Sequence, residues 1–290
     1  MAYKLIADSC CNLTAKEIAE CDLTILPLTY YVDGESHIND PLDSKTDLTA
    51  FYHSMRDGKV VSTSLVNLAD AQDVIVGFLE QGYDVLYLGF SSALSGTFEG
   101  VNGAFNTLRS EYPNQKLIAV DTLAAAGGQG LLTYVAAQKK KNGAEIEELA
   151  KWVEENRLRF VHWFTVDDLV YLFRGGRVSK TSAWAGSLLN IKPVLHVDDE
   201  GRLIPVEKVR GRKKSLDACI KSMKANGFNK DEGYPVFINH GDCLEDALYV
   251  RDKVIELYGD LDITITELDP VIGAHSGPGT IALYFVGSHR

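Results

Sequence analysis

Asp84-Val85-Leu86-Tyr87-Leu88-Gly89-Phe90 is an apolar run of strand length, and it passes directly into Ser91-Ser92-Ala93-Leu94-Ser95-Gly96-Thr97. Beyond it Phe98, Val101, Phe105 and Leu108 recur at helical spacing, so the stretch reads strand, polar turn, helix. In an open α/β sheet that junction lies at the carboxyl end of a strand, where helix-start N–H groups and nearby hydroxyls can hold an anion. Ser95 or Thr97 acting only as a helix cap accounts for the same residues. The rest of the chain has to decide between the two.

Similar junctions lie on both sides. Toward the N-terminus, Tyr3 to Ala7 reads as a strand that ends at Asp8-Ser9, with a helix starting around Asn12-Leu13-Thr14. Leu23 to Val32 reads as one extended run turned by Asp33-Gly34, and Pro27 within it demands an edge or irregular strand. Residues 38–47 are polar and read as loop, followed by a helix from Leu48 to Met55. Val60-Val61 then leads into a second hydroxyl cluster, Ser62-Thr63-Ser64, before a helix that Asn67 can cap.

Toward the C-terminus, Lys116 to Asp121 is another buried strand with an acidic end, and Ala124 to Gly130 is a small-residue run entering a helix. Neither a G-x-G-x-x-G fingerprint nor a G-x-x-x-x-G-K-[ST] loop occurs, so the polypeptide lacks a nucleotide-binding motif. A charged helix over Glu145 to Arg157 precedes the strand Phe160 to Phe164, where composition offers no linker but a boundary fits. Length favours one large domain or two ordinary ones, and a division here gives 1–160 and 161–290.

In the second half Arg174-Gly175-Gly176-Arg177 can present two guanidinium groups at a turn, suited to phosphate or carboxylate, although a solvated turn has the same composition. Asn190 to Val197 and Gly201 to Val206 flank an acidic turn and read as an antiparallel hairpin, so this half needs a mixed sheet. Arg210-Gly211-Arg212-Lys213-Lys214 is the densest basic patch. Pro235 to His240 is a further strand, Ala247 to Leu257 a helix and Ala282 to Val286 the last strand. His275 and Ser276 sit among small, permissive residues, which suggests a ring facing an open cleft.

Composition narrows the function classes. The chain of 290 residues is 46% hydrophobic and 24% charged, as expected of a folded globular protein. No stretch is long enough to span a bilayer and no signal-peptide pattern opens the chain, so a cytoplasmic location is expected. A net charge of −11 argues against nucleic-acid binding. Five cysteines, without paired spacing, suggest neither a zinc site nor a disulfide framework.

In order along the chain, Asp8-Ser9, Thr63-Ser64, Ser92-Ala93-Leu94-Ser95-Gly96-Thr97-Phe98, Asp121 with Gly128-Gln129-Gly130, Arg174 to Ser179, Lys192-Pro193-Val194-Leu195, Arg210 to Lys214 and His275 to Thr280 resemble the DegV family of bacterial fatty-acid-binding proteins, including the FakB-type subunits of fatty-acid kinase. The resemblance runs almost end to end. It implies an N-terminal mostly parallel sheet flanked by helices, a C-terminal mixed sheet, and a buried long-chain fatty acid in a tunnel between them.

By the same resemblance Thr63, Ser95, Gly96, His275 and Ser276 would hold the carboxylate, and Arg174 or Arg177 would serve the partner or the phosphate in transfer. The partner implied is an ATP-dependent fatty-acid kinase subunit. No cofactor is then needed, no catalytic residue lies on this chain, and ligand exchange is compatible with transient contact with a membrane surface. Two other functions fit parts of the pattern. One is an acyl-ester hydrolase with Ser95 as nucleophile, His275 as base and Asp121 as orienter; the other is a lipid-sensing regulatory protein.

Overall fold

The computed structural model describes residues 2–42, 46–179 and 190–290. In chain order the first half contains β1 (Tyr3–Asp8), α1 (Ala15–Glu20), β2 (Leu23–Leu26), β3 (Leu28–Val32), β4 (Glu35–Asn39), α2 (Leu48–Arg56), β5 (Val61–Ser64), α3 (Leu68–Glu80), β6 (Asp84–Gly89), α4 (Thr97–Glu111), β7 (Leu117–Asp121), α5 (Ala126–Lys141) and α6 (Ile146–Asn156). The second half adds β8 (Phe160–Thr165), α7 (Val170–Arg174), β9 (Ile191–Val197), β10 (Leu203–Arg210), α8 (Arg212–Ala225), β11 (Val236–His240), α9 (Leu244–Tyr258), β12 (Ile263–Glu267), α10 (Pro270–Ser276) and β13 (Ile281–Val286).

Strands β2-β1-β6-β7 form a parallel sheet. All six residues of β6 are buried, as a strand covered by helices on both faces requires. The chain leaves β1 toward β2 on one side, whereas β6 leads to β7 on the other, so the loops after β1 and β6 part where the strand order reverses. Ligands of open α/β sheets bind at such a point.

The second half builds a six-stranded sheet in the order β10-β9-β8-β13-β11-β12, antiparallel except for β11 with β12. Helix α5 lies between the two sheets, packing on β8, β11 and β13. The result is a two-domain α/β fold with a parallel and a mixed sheet.

Three local readings need correction. The extended run Leu23–Val32 is two strands: Pro27 ends β2 in the parallel sheet, and β3 joins a separate antiparallel sheet, β4-β3-β5. The polar segment read as loop over 38–47 begins inside a strand, β4, paired to β3 through the hairpin at Asp33-Gly34; its residues 43–45 lie outside the described residues. Polar composition concealed β4 because its residues are mostly exposed at a sheet edge. Helix α10 and strand β12 also form in the second half, in stretches without a periodic signal. Among the described residues no helix is long and apolar enough to cross a membrane.

Candidate functional site

Asp8, at the carboxyl end of β1, holds the two diverging loops together. Its carboxylate accepts from Phe90 N at 2.8 Å, the Tyr87 hydroxyl at 2.8 Å, Gln129 Nε2 at 3.3 Å and Cys10 N at 3.2 Å. Burial raises its pKa, while those four donors pull the other way. Asp121, at the end of β7, accepts from Ser92 N and Leu123 N. The turn after β6 is thus fixed from both neighbouring strands. Asp8 and Asp121 position this turn.

Within the turn Ser95 Oγ accepts from Thr97 N at 3.2 Å and lies 3.0 Å from Thr97 Oγ1. The N-cap of α4 is Gly96, with no side-chain cap of its own. Capping by Ser95 is therefore partial. Gly96 is exposed and Ser95 half-buried, so the helix start stays accessible to a ligand.

Thr63 lies on β5, and α10 packs against β5 and α7. Asp269 caps α10 by accepting from Val271 N and Ile272 N. At the other end of that helix His275 Nε2 sits 2.8 Å from Thr63 Oγ1. Its Nδ1 is buried without a partner, facing Gly175 so closely that a Cβ there would land on it. The ring is half-buried: it lines the inter-domain cavity, with Nδ1 packed against Gly175.

Burial, and secondarily the charge of Arg177, lowers the His275 pKa to about 4, so the imidazole is neutral at pH 7. A lone pair left without a donor costs less than a buried N–H without an acceptor. We therefore assign the ring proton to Nε2, which donates to Thr63 and leaves the Thr63 hydroxyl hydrogen free to turn inward. Arg177 donates to the carbonyls of Leu94 and Gly175, tying the turn after β6 to the segment after α7. Arg174 is exposed at the end of α7. The two arginines of the glycine pair thus face different surroundings.

These groups gather at one end of a cavity between the domains. Thr63, Ser95, Gly96, Arg177, His275 and Ser276 all line it, and the Ser276 hydroxyl is buried without a partner. The remaining wall is mostly apolar, including Phe90, Phe164, Leu172 and Val271. The cavity volume is about 160 Å³. A single water needs about 10–15 Å³, so the space suits a ligand rather than one trapped water.

Ser95, His275 and Asp121 are not hydrogen-bonded to one another as a hydrolytic triad would be. Ser95 bonds Thr97, His275 bonds Thr63, and Asp121 engages backbone N–H groups of its own domain. Sequence reasoning missed His162 and Tyr284 in the cavity wall.

Two α/β domains thus enclose a mostly apolar cavity whose lining includes hydroxyl, backbone and imidazole groups, the make-up of a small-molecule binding site. The model of the DegV family, described as uncharacterised proteins, matches residues 2–288, and the chain belongs to that family. It is 42% identical over 288 residues to a DegV domain-containing protein of Clostridium perfringens, covering 99% of this chain and 98% of the relative. A protein of Thermotoga maritima described as a fatty acid-binding protein is 32% identical, with 97% and 96% covered. A solved structure of a fatty-acid-binding DegV family protein from Thermus thermophilus superposes with a TM-score of 0.87 at 26% identity, covering 99% of this chain and 100% of that one.

Proposed function

We propose that this protein binds a long-chain fatty acid in the inter-domain cavity and presents its carboxylate to a partner kinase subunit, which converts it to acyl phosphate. The observation that carries the reading is the cavity itself, apolar along its length with Thr63, Ser95, Gly96, His275 and Ser276 converging at one end. Each methylene buried contributes about 0.8 kcal/mol. The carboxylate left at the polar end needs donors, which the Thr63 and Ser95 hydroxyls, the Gly96 N–H and the Arg177 charge supply.

The fatty-acid-binding relatives support the ligand class. The kinase partnership rests on the resemblance of the Arg174-Gly175-Gly176-Arg177 segment to FakB-type subunits and on the exposure of Arg174. In the working cycle no covalent bond forms on this chain. ATP comes with the partner, and the chain orients the carboxyl oxygen.

Incubation of the loaded protein with a fatty-acid kinase subunit and ATP, with hydroxylamine to trap acyl phosphate, tests the partnership. Trapped product from the parent and loss of product from Arg174→Ala at unchanged fatty-acid affinity are expected. No product from a loaded parent with kinases of several DegV-bearing bacteria would remove the kinase role and favour lipid sensing.

A further inference from the structure

Strand register orders the cavity by depth. On β13 the lining residues are Ala282 and Tyr284, preceded by Thr280, and they alternate as one face of a strand must. Thr280 lies at the polar end, where its hydroxyl donates to the carbonyls of Ser276 and Gly277. Four residues further along, roughly 13 Å at ~3.3 Å per residue, stands Tyr284.

Across the sheet, Tyr284 pairs with His162 on β8 and Ala282 pairs with Phe164. Trp163 pairs with His196, so the next position brings His162 level with Val197, which in turn pairs with Leu203 on β10. Tyr284, His162, Val197 and Leu203 therefore form one row over four adjacent strands, and all four line the cavity.

The centre of this row is rigid. His162 Nε2 accepts from Ala125 N at 3.2 Å, and so its Nδ1 carries the proton donated to Phe160 O at 2.9 Å. Its ring meets Tyr284 edge to face at 5.4 Å. From the far side the start of α5 closes on the pair: a Cβ at Gly128 would collide with the His162 ring, and one at Gly127 with Tyr284.

We propose that the row Tyr284–His162–Val197–Leu203 is the floor of the cavity and sets the upper limit of acyl chain length. This rests on the fatty-acid reading above. Because His162 is held at both nitrogens, a chain too long by one or two methylenes meets a wall that does not yield.

The test measures binding of a homologous series of straight-chain saturated fatty acids to the full chain and two variants. Ala282→Leu fills the level above the floor. The acid preferred by the parent is expected to bind at least about tenfold more weakly, with the optimum moving to shorter members. Val197→Ala lowers the floor and is expected to move the optimum to longer members, which keeps the test decisive where Ala282→Leu fails to fold.

An optimum unchanged in the folded variants that still bind overturns the floor assignment alone. A parent that binds no member of the series overturns the fatty-acid reading, and the floor with it.

Discussion

His275 Nε2 lies 2.8 Å from Thr63 Oγ1, a bond between residues 212 positions apart that joins the two domains at the polar end of the cavity. The pair makes one unit: the imidazole orients the hydroxyl, and the hydroxyl faces the ligand. Removing either member should weaken fatty-acid binding. For Thr63→Val, which keeps the volume but removes the donor, about a tenfold loss is expected. For His275→Ala the loss should be similar, and the double variant should lose little more than either single, because the two act together. Calorimetric titration with a fatty acid checks this; fully additive losses would show that they act separately.

Acidification should expose the cost of charging His275. Its pKa falls from the ordinary 6.5 to about 4 on folding, so the unfolded chain binds the proton first as pH drops. The stability it contributes is complete above pH 6.5 and is lost as pH falls through about 4, up to about 3 kcal/mol across the window. Asp269 works in the opposite sense. Burial raises its pKa to about 7, so its contribution is lost as pH rises through that value. Comparing ligand-free parent with His275→Gln cancels the Asp269 effect. Denaturant midpoints for the variant should drop less between pH 6.5 and 4.5; parallel curves would contradict the assignment.

Gly175 is required by a neighbour, since a Cβ there would occupy the place of His275 Nδ1. Gly175→Ala should displace the imidazole from Thr63 and lower fatty-acid affinity by at least about tenfold. The mutated residue is not itself counted among the carboxylate donors. Affinity equal to the parent's in a folded Gly175→Ala protein would mean that the ring position is immaterial.

Asp8 gathers four donors from three segments, the turn after β1, β6 with the turn after it, and α5, at the point where the strand order reverses. Asp8→Asn places an amide donor among donors and leaves at least one of them unpaired. The expected cost is about 2–4 kcal/mol in equilibrium unfolding, with a measurable loss of binding because Phe90 and the turn after it loosen. A change below about 0.5 kcal/mol would remove Asp8 from its positioning role.

The strands of the first sheet, the hairpin over Asn190 to Val206 and the turn at Ser95-Gly96 were legible because each couples a hydrophobic period to turn residues. The run Leu23–Val32 was readable as extended, yet Pro27 could as well irregularise one strand as separate two. Helix α10 gave no helical period: its seven residues are small or buried on nearly every side, so no polar face marks it. Thr63 was found in a hydroxyl cluster after a strand, and Ser95 and His275 beside glycines, whereas the pairing of Thr63 with His275 depends on long-range packing. His162 and Tyr284 went unseen because β8 and β13 are buried on both faces, so the face toward the cavity has no compositional mark.

Mass spectrometry of the organic extract from protein purified without added lipid, followed by native mass spectrometry after titration with long-chain acids, tests the central claim most directly. The account predicts one long-chain fatty acid per chain, carried through purification or taken up on titration and lost in a Thr63→Val, Ser95→Ala double variant. A folded parent protein that carries no lipid and takes up none would contradict it.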